Sequence, residues 1–254
     1  MIRAILLGLI QGLTELLPIS SSGHLALFHY LWGDSPALVF DVLAHFGTMV
    51  AIAWFFRLDL IFLIKGLLGQ GDKEMVGSQR QLALRLLLAS LPVGVVGFLG
   101  GEKLALLFYE PKFLAVGFFV TALILILGRF FRFSIEKGRF LGIGLFQALA
   151  VIPGISRSAS TIAGARILGE KKEIAFKFSF LLGLIAIAGA VIYELPLVSR
   201  FNSWQVKEGL AVILVSFFSG LFALGFLKRL FLADKMWFLA FYCFFLGVGI
   251  FVFL

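Results

Sequence analysis

The sequence predicts an all-α integral membrane protein: six transmembrane helices plus two re-entrant helical hairpins, arranged as an inverted-topology repeat. Three observations carry this reading. The 254 residues are 61% hydrophobic, with a mean hydropathy of +1.07 and only 14% charged, against roughly 25% charged in a typical soluble domain. Two apolar segments too short to cross a bilayer each break at a Pro/Ser/Gly stretch. Finally, the chain matches itself at an offset of 136 residues.

The composition leaves too little polar surface to coat a water-soluble globule, so the bilayer acts as the solvent. The length fits one membrane domain, residues 1–254, with halves 1–128 and 129–254. The net charge of +8 does not mark a nucleic-acid surface, because the basic residues sit in short loops between apolar spans. Cys243, the single cysteine, excludes an intrachain disulfide and a cysteine-cluster metal site. Arg3 and the apolar residues 4–10 resemble the start of a signal peptide. Gln11, Thr14 and Glu15 interrupt that run and no small-x-small site follows, so the segment reads as mature structure.

A transmembrane helix needs about 20 apolar residues. Six stretches qualify, at approximately 38–56, 82–100, 112–128, 174–192, 209–227 and 236–254. Between them lie loops with turn and charge signals, such as residues 69–74 and 132–139. The shorter stretches 4–17 and 140–152 each run through a Pro/Ser/Gly tip into a second short piece, 24–32 and 161–168. Irregular backbone at membrane depth is tolerated only where protein surrounds it or it lines a cavity, so both read as re-entrant hairpins.

If the hairpins return to the side they enter and the six spans cross, residues 57–85, 129–139, 166–177 and 228–235 share one side, with 16 Lys/Arg. The other side holds Arg3, Lys103, Lys112, Arg200 and Lys207, and Arg157 lies in a hairpin tip. The bias puts the first set in the cytoplasm and both termini outside. The first hairpin then enters from outside and the second from the cytoplasm, and their tips meet near the midplane.

The repeat lays residues 11–25 over 147–161. Gln11 meets Gln147, Leu13 meets Leu149, Ile19 meets Ile155, Ser20 meets Ser156 and Ser22 meets Ser158. Gly8 and Leu9 meet Gly144 and Leu145; Phe40 and Gly47 meet Phe176 and Gly183. Each half is a hairpin plus three spans. Three is odd, so the halves run in opposite orientations, with a site expected where the broken helices meet.

The polar residues converge on the tips. A carboxylate and an arginine at this depth are costly unless paired or functional. Gln11 and Glu15, four apart, share one helix face, and their oxygens can hold a divalent cation. The Ser-rich tips lead into helices expected to begin near His24 and Thr161, where hydroxyls and free N–H groups bind anions. Arg157 adds a fork of donors matched to phosphate oxygens. Ser21 and His24 make a nucleophile–base pair in the general sense. Structural alternatives stand beside each reading. Ser22 and Ser158 are candidate N-caps, Glu15 and Arg157 a candidate ion pair between the repeats, and His24 a candidate hydrogen-bonder. His29 reads as structural. Asp41 and His45 share a face of the first span and either line the cavity entrance or sit at the interface.

The segments Gln11-Gly-Leu-Thr-Glu15-Leu-Leu-Pro-Ile-Ser-Ser21-Ser-Gly-His24-Leu and Pro153-Gly-Ile-Ser156-Arg157-Ser158-Ala-Ser-Thr161 closely resemble the two signatures of the undecaprenyl-pyrophosphate phosphatases of the bacitracin-resistance type. The resemblance extends over the whole chain in length, span order and motif position. It implies hydrolysis of undecaprenyl pyrophosphate to the monophosphate plus inorganic phosphate, recycling the carrier lipid of bacterial cell-wall synthesis. It also implies a divalent cation, Mg or Ca, the bacterial inner membrane as location, and a site open to the outer face. By motif position the catalytic residues would be Glu15, Ser21, His24 and Arg157, with Gln11, Ser156 and Thr161 nearby; the hydroxyls of the two tips, Ser20, Ser22, Ser156, Ser158 and Thr161, are the expected phosphate contacts. Glu15 and Gln11 would hold the metal. The family's first acidic position holds Glu or Gln and is Gln11 here, which shifts metal binding or base work onto Glu15. The partners expected are the polyprenyl pyrophosphate lipid and the bilayer, with no nucleic acid; a homodimer is left open. Transport of the polyprenyl phosphate lipid is the rival reading, since broken helices in inverted repeats also build transporters.

Overall fold

The computed structural model describes residues 1–33, 38–106, 110–135, 139–194 and 203–254. Lys137 and Arg200, two members of the charge count, lie outside the described residues. All regular structure among the described residues is helical. The elements are α1 (Ile2–Leu16), α2 (Ser21–Trp32), α3 (Leu38–Phe55), α4 (Arg57–Leu67), α5 (Lys73–Leu106), α6 (Pro111–Phe130), α7 (Arg139–Leu149), α8 (Arg157–Ile167), α9 (Lys172–Glu194), α10 (Ser203–Leu232) and α11 (Leu239–Phe253), with a 3-10 turn over Met236–Phe238.

Among the described residues, five helices are long and apolar enough to cross a membrane, and six if the bent pair Phe40–Phe55 and Arg57–Leu67 is counted as one span. The expected spans 82–100, 112–128, 174–192 and 209–227 each lie within one helix, while 38–56 corresponds to α3 and the residue after it, and 236–254 to the 3-10 turn, α11 and the last residue. The loop expected over 69–74 is irregular as far as Asp72, but the connection between the first two expected spans also holds α4, which departs at 77° from α3, and the first part of α5. The charges at Arg57, Asp59 and Lys65 lie on the surface of α4, where side chains reach polar surroundings without breaking backbone hydrogen bonds. Lys177 of α9 pairs with Asp59 there.

The short helices pack into the bundle by close backbone approach. α1 lies against α10 and α3, while α7 lies against α5 and α8. Gly8 permits the first contact: a Cβ there would stand 2.8 Å from the Val212 carbonyl oxygen. Gly144 does the same for α7, with a virtual Cβ 2.3 Å from the Ala89 oxygen. Small residues at such crossings let helix backbones approach in the bilayer, where packing rather than water exclusion drives association. α9 is the most buried of the spans and contacts α3, α8, α5 and α10. Around it, Phe56, Phe176 and Phe180 form a ring cluster with centroid separations of 4.9–6.1 Å.

The helices after the two tips begin earlier than expected, at Ser21 and Arg157 rather than near His24 and Thr161. Ser20 and Ser156 are the N-caps, accepting hydrogen bonds from the Gly23 and Ala159 N–H groups, each at 3.2 Å. Ser22 and Ser158, the expected caps, sit inside the first turn instead. Serines disfavour helix interiors but are suited to a cap and first turn, so a Ser-rich stretch marked the boundary without fixing which serine closes it.

Candidate active site

The two tips meet. Ser158 Oγ donates to the Leu17 carbonyl oxygen at 3.1 Å, tying the start of α8 to the end of α1. The tips share one capping geometry: Ser20 and Ser22 oxygens lie 3.2 Å apart, as do those of Ser156 and Ser158. Their backbones differ. Ser20 has φ 71°, a left-handed conformation uncommon for serine, whereas in the second tip Gly154 takes the left-handed position at φ 84°. Strained backbone of this kind collects at functional sites.

Glu15 is the hub. It is buried, and its carboxylate accepts from Arg157 Nη2 at 2.7 Å, from Ser21 Oγ at 2.5 Å and from Gln11 Nε2 at 3.2 Å. His45 Nε2 of α3 stands 3.7 Å from the same carboxylate, while His45 Nδ1 donates to the Asp41 carbonyl oxygen at 2.8 Å. The structure therefore brings Gln11, Glu15, Ser21 and Arg157 together and adds His45, whose span position had left its role open. Asp41 turns to His29, which is buried and paired with it at 3.0 Å, in agreement with a structural His29.

His24 is bonded to groups other than Ser21. Its Nδ1 lies 2.6 Å from the Ser20 carbonyl oxygen and its Nε2 lies 2.7 Å from the Tyr242 hydroxyl. Ser21 is bonded to Glu15 instead, so the nucleophile–base geometry visible here is Ser21–Glu15. Thr161 Oγ1 donates to the Arg157 carbonyl oxygen at 2.8 Å and shares a hydrogen bond with Ser179 of α9. That ties α8 to α9 and supports Arg157 from below.

Two buried polar atoms in the cluster lack a hydrogen-bond partner among the described residues: Gln11 Oε1 and Arg157 Nη1. A buried donor or acceptor without a partner costs about 1–3 kcal/mol, so two such atoms at one site call for a partner from outside the chain, whether water, ion or ligand. Gly183 makes room for the guanidinium. A Cβ at that position would fall 1.6 Å from Nη1.

Sequence reasoning passed over Thr121 of α6. Its hydroxyl donates to the Gly154 carbonyl oxygen at 2.8 Å and accepts from the Ser156 N–H at 2.9 Å, holding the second tip in place. Its signal was a lone hydroxyl within the apolar stretch 112–128. Tyr242, near the start of α11, gave no signal beyond its hydroxyl.

The fold and this cluster define a multi-helix membrane protein with a buried carboxylate–guanidinium site flanked by two serine-capped helix N-termini. Residues 4–249 match the family model "Bacitracin resistance protein BacA", and the chain belongs to that family. It is similar to undecaprenyl-diphosphatases from Methanobrevibacter smithii (36% identical, 99% of this chain and 96% of the relative), Korarchaeum cryptofilum (37%, 98% and 97%) and Thermosipho africanus (37%, 96% and 96%).

Proposed function

We propose that this chain hydrolyses undecaprenyl pyrophosphate to undecaprenyl phosphate and inorganic phosphate in the cytoplasmic membrane, recycling a cell-wall carrier lipid. The observation that carries the reading is the Arg157 guanidinium. One nitrogen is fixed to Glu15 and another is buried with no partner among the described residues, beside a serine hydroxyl bonded to the same carboxylate. A planar fork of donors at two helix N-termini fits phosphate oxygens.

In the mechanism proposed, Arg157 Nη1 and the N–H groups of the first turns of α2 and α8 hold the terminal phosphoryl group and neutralise its growing charge. The hydroxyls of Ser20, Ser22, Ser156, Ser158 and Thr161 shape that pocket. Ser21 Oγ attacks the terminal phosphorus in line and gives its proton to Glu15, while the bond to the bridging oxygen breaks and undecaprenyl phosphate leaves. A water then cleaves the phosphoserine and restores the Ser21 hydroxyl. His24 delivers a proton on the leaving-group side. Positioning and charge stabilisation supply most of the rate in phosphoryl transfer.

The residues present fit a divalent cation. Glu15 offers carboxylate oxygen and Gln11 an unpartnered buried amide oxygen, a hard-donor set suited to Mg or Ca. So few protein donors leave positions for water and phosphate. When bound, the cation would neutralise pyrophosphate charge.

The proposed topology is six spans and two re-entrant hairpins in an inverted repeat, with halves 1–128 and 129–254, both termini outside and the site open to the outer face. The matching caps at Ser20 and Ser156 support it. So does the reciprocal packing, in which α1 lies on α10 and α7 on α5, with Gly8 and Gly144 at equivalent crossings.

The test is phosphate release from a long-chain prenyl pyrophosphate by the purified protein in detergent, with and without divalent cation. Cation-dependent release by the wild type, lost in Glu15→Ala and Arg157→Ala, would support the reading. No release from a well-folded sample would sink it and move the reading to lipid transport.

A further inference from the structure

The clearest unassigned contact near the site is the one Tyr242 makes with His24. It joins α11, in the second half of the chain, to α2, in the first. α2 packs against α1 and α6 and does not pack along α11, so this side-chain contact spans a gap between two elements that otherwise scarcely meet. The rings are nearly parallel, 4° apart in plane with centroids 5.7 Å apart. Phe118 of α6 meets the imidazole edge-on at 5.3 Å, with an interplanar angle of 87°.

The hydrogen bonds of His24 fix its tautomer. Nδ1 faces the Ser20 carbonyl oxygen at 2.6 Å. A carbonyl oxygen only accepts, so Nδ1 carries a hydrogen in either charge state. In the neutral ring the lone pair is then on Nε2, and the Tyr242 hydroxyl, 2.7 Å away, donates to it. In the protonated ring Nε2–H donates and the same hydroxyl oxygen accepts. A phenol serves both states, and no apolar side chain does. The atom of His24 that gains or loses the proton is therefore the atom Tyr242 holds.

We propose that Tyr242 orients His24 and relays its proton. Its hydroxyl stays hydrogen-bonded to Nε2 in both charge states, so a proton given up at Nε2 passes to the phenol oxygen as the phenol gives its own O–H proton to a leaving-group oxygen of the lipid pyrophosphate. This rests on the phosphatase reading above. Ser20 and Tyr242 clamp the ring at its two nitrogens, as a base in a catalytic triad is oriented by a third group. Ser20 is itself in the left-handed conformation at the tip, so the clamp is referenced to the strained backbone that also caps α2.

The experiment is Tyr242→Phe in the full chain, in detergent. The ring is about half exposed and its packing is kept, so the variant should purify with wild-type size-exclusion behaviour. With a prenyl pyrophosphate, kcat should fall about tenfold or more while KM changes little, the rate equivalent of one hydrogen bond to a charged ring. In a His24→Asn background the same substitution should cost nothing further. Nitrogen-15 spectra of histidine-labelled protein read the contact without turnover, and only three histidines are present. The His24 Nε2 resonance should move in Tyr242→Phe while those of His29 and His45 stay. Unchanged His24 resonances would overturn the proposal whether or not the protein hydrolyses lipid. So would an unchanged kcat in an active enzyme, or an equal loss on top of His24→Asn. A wild type that releases no phosphate but shows the shifted resonance would defeat the phosphatase reading while the clamp survived.

Discussion

Arg157 Nη2 donates to Glu15 Oε1 at 2.7 Å across 142 positions of sequence. This single bond joins the helix that enters the first tip to the helix that leaves the second. A buried carboxylate and guanidinium lose hydration on burial, and breaking such a pair from one side costs about 3–5 kcal/mol. The other nitrogen, Nη1, has no hydrogen-bond partner among the described residues. Arg157→Lys keeps the charge but loses the fork. Phosphate release should drop by about a hundredfold or more, with the protein still folded by circular dichroism. Wild-type turnover in this variant would remove the guanidinium from the mechanism.

Gly183 bears on the same group. Alanine there would place a methyl carbon 1.6 Å from Nη1, so the guanidinium must swing away. Shifting the guanidinium loosens its bond to Glu15, so some melting temperature should be lost, while a displacement on the scale of 1 Å costs about a hundredfold in rate even in protein that stays folded. Thermal melts and kcat on one preparation test this. A large loss of melting temperature with proportionate activity would mean that Gly183 serves packing instead.

Thr121→Val should act mainly on stability. It leaves the Ser156 N–H and the Gly154 carbonyl without the hydroxyl that bridges them, at a cost of about 1–3 kcal/mol. Hydrogen exchange at the second tip should rise more than at α9.

Cation dependence tests the Gln11–Glu15 pair. Chelator should abolish turnover and added Mg or Ca restore it. Gln11→Glu provides a second carboxylate, so half-maximal activity should need less cation. A chelator-resistant wild type would exclude the metal role proposed for both residues.

Asp234, outside the spans in the turn after α10, pairs with Lys172 at the start of α9. The hydrogen bond from Lys172 holds its carboxyl below the usual carboxylate range. A depressed value stabilises the fold above the unfolded carboxylate's pKa, and the contribution is lost as pH falls through the folded value. Because the pair is exposed, the effect is at most about 1 kcal/mol. Asp234→Asn keeps a residue that tolerates the φ of 57° found there. Melts at neutral pH should show a small loss in the variant, and that difference should vanish in acid. A constant difference at all pH values would attribute the loss to something other than the charge.

Much of this protein was legible in one dimension because the bilayer imposes a simple rule. A spanning segment must be long and apolar, so the six stretches were visible in composition alone. The broken segments and the charged residues among them marked the tips, since a carboxylate or arginine in an apolar run has few uses other than a site or an ion pair. The sequence by itself thus determined the helical membrane class, the location of the polar cluster and the residues Gln11, Glu15, Ser21 and Arg157. α4 was missed because membrane-length apolar stretches and broken hairpins are what composition marks, and an 11-residue helix carrying Arg57, Asp59 and Lys65 is neither. Tertiary structure alone decided the partners. Ser21 turns to Glu15 rather than to His24, His24 meets a tyrosine 218 positions away, and His45 reaches Glu15 from another span. These pairings depend on which way each helix is rotated about its axis. That rotation is set by close crossings at Gly8, Gly144 and Gly183, where missing side chains let backbones and a guanidinium approach. A glycine in a sequence carries no mark of what will occupy the space it leaves.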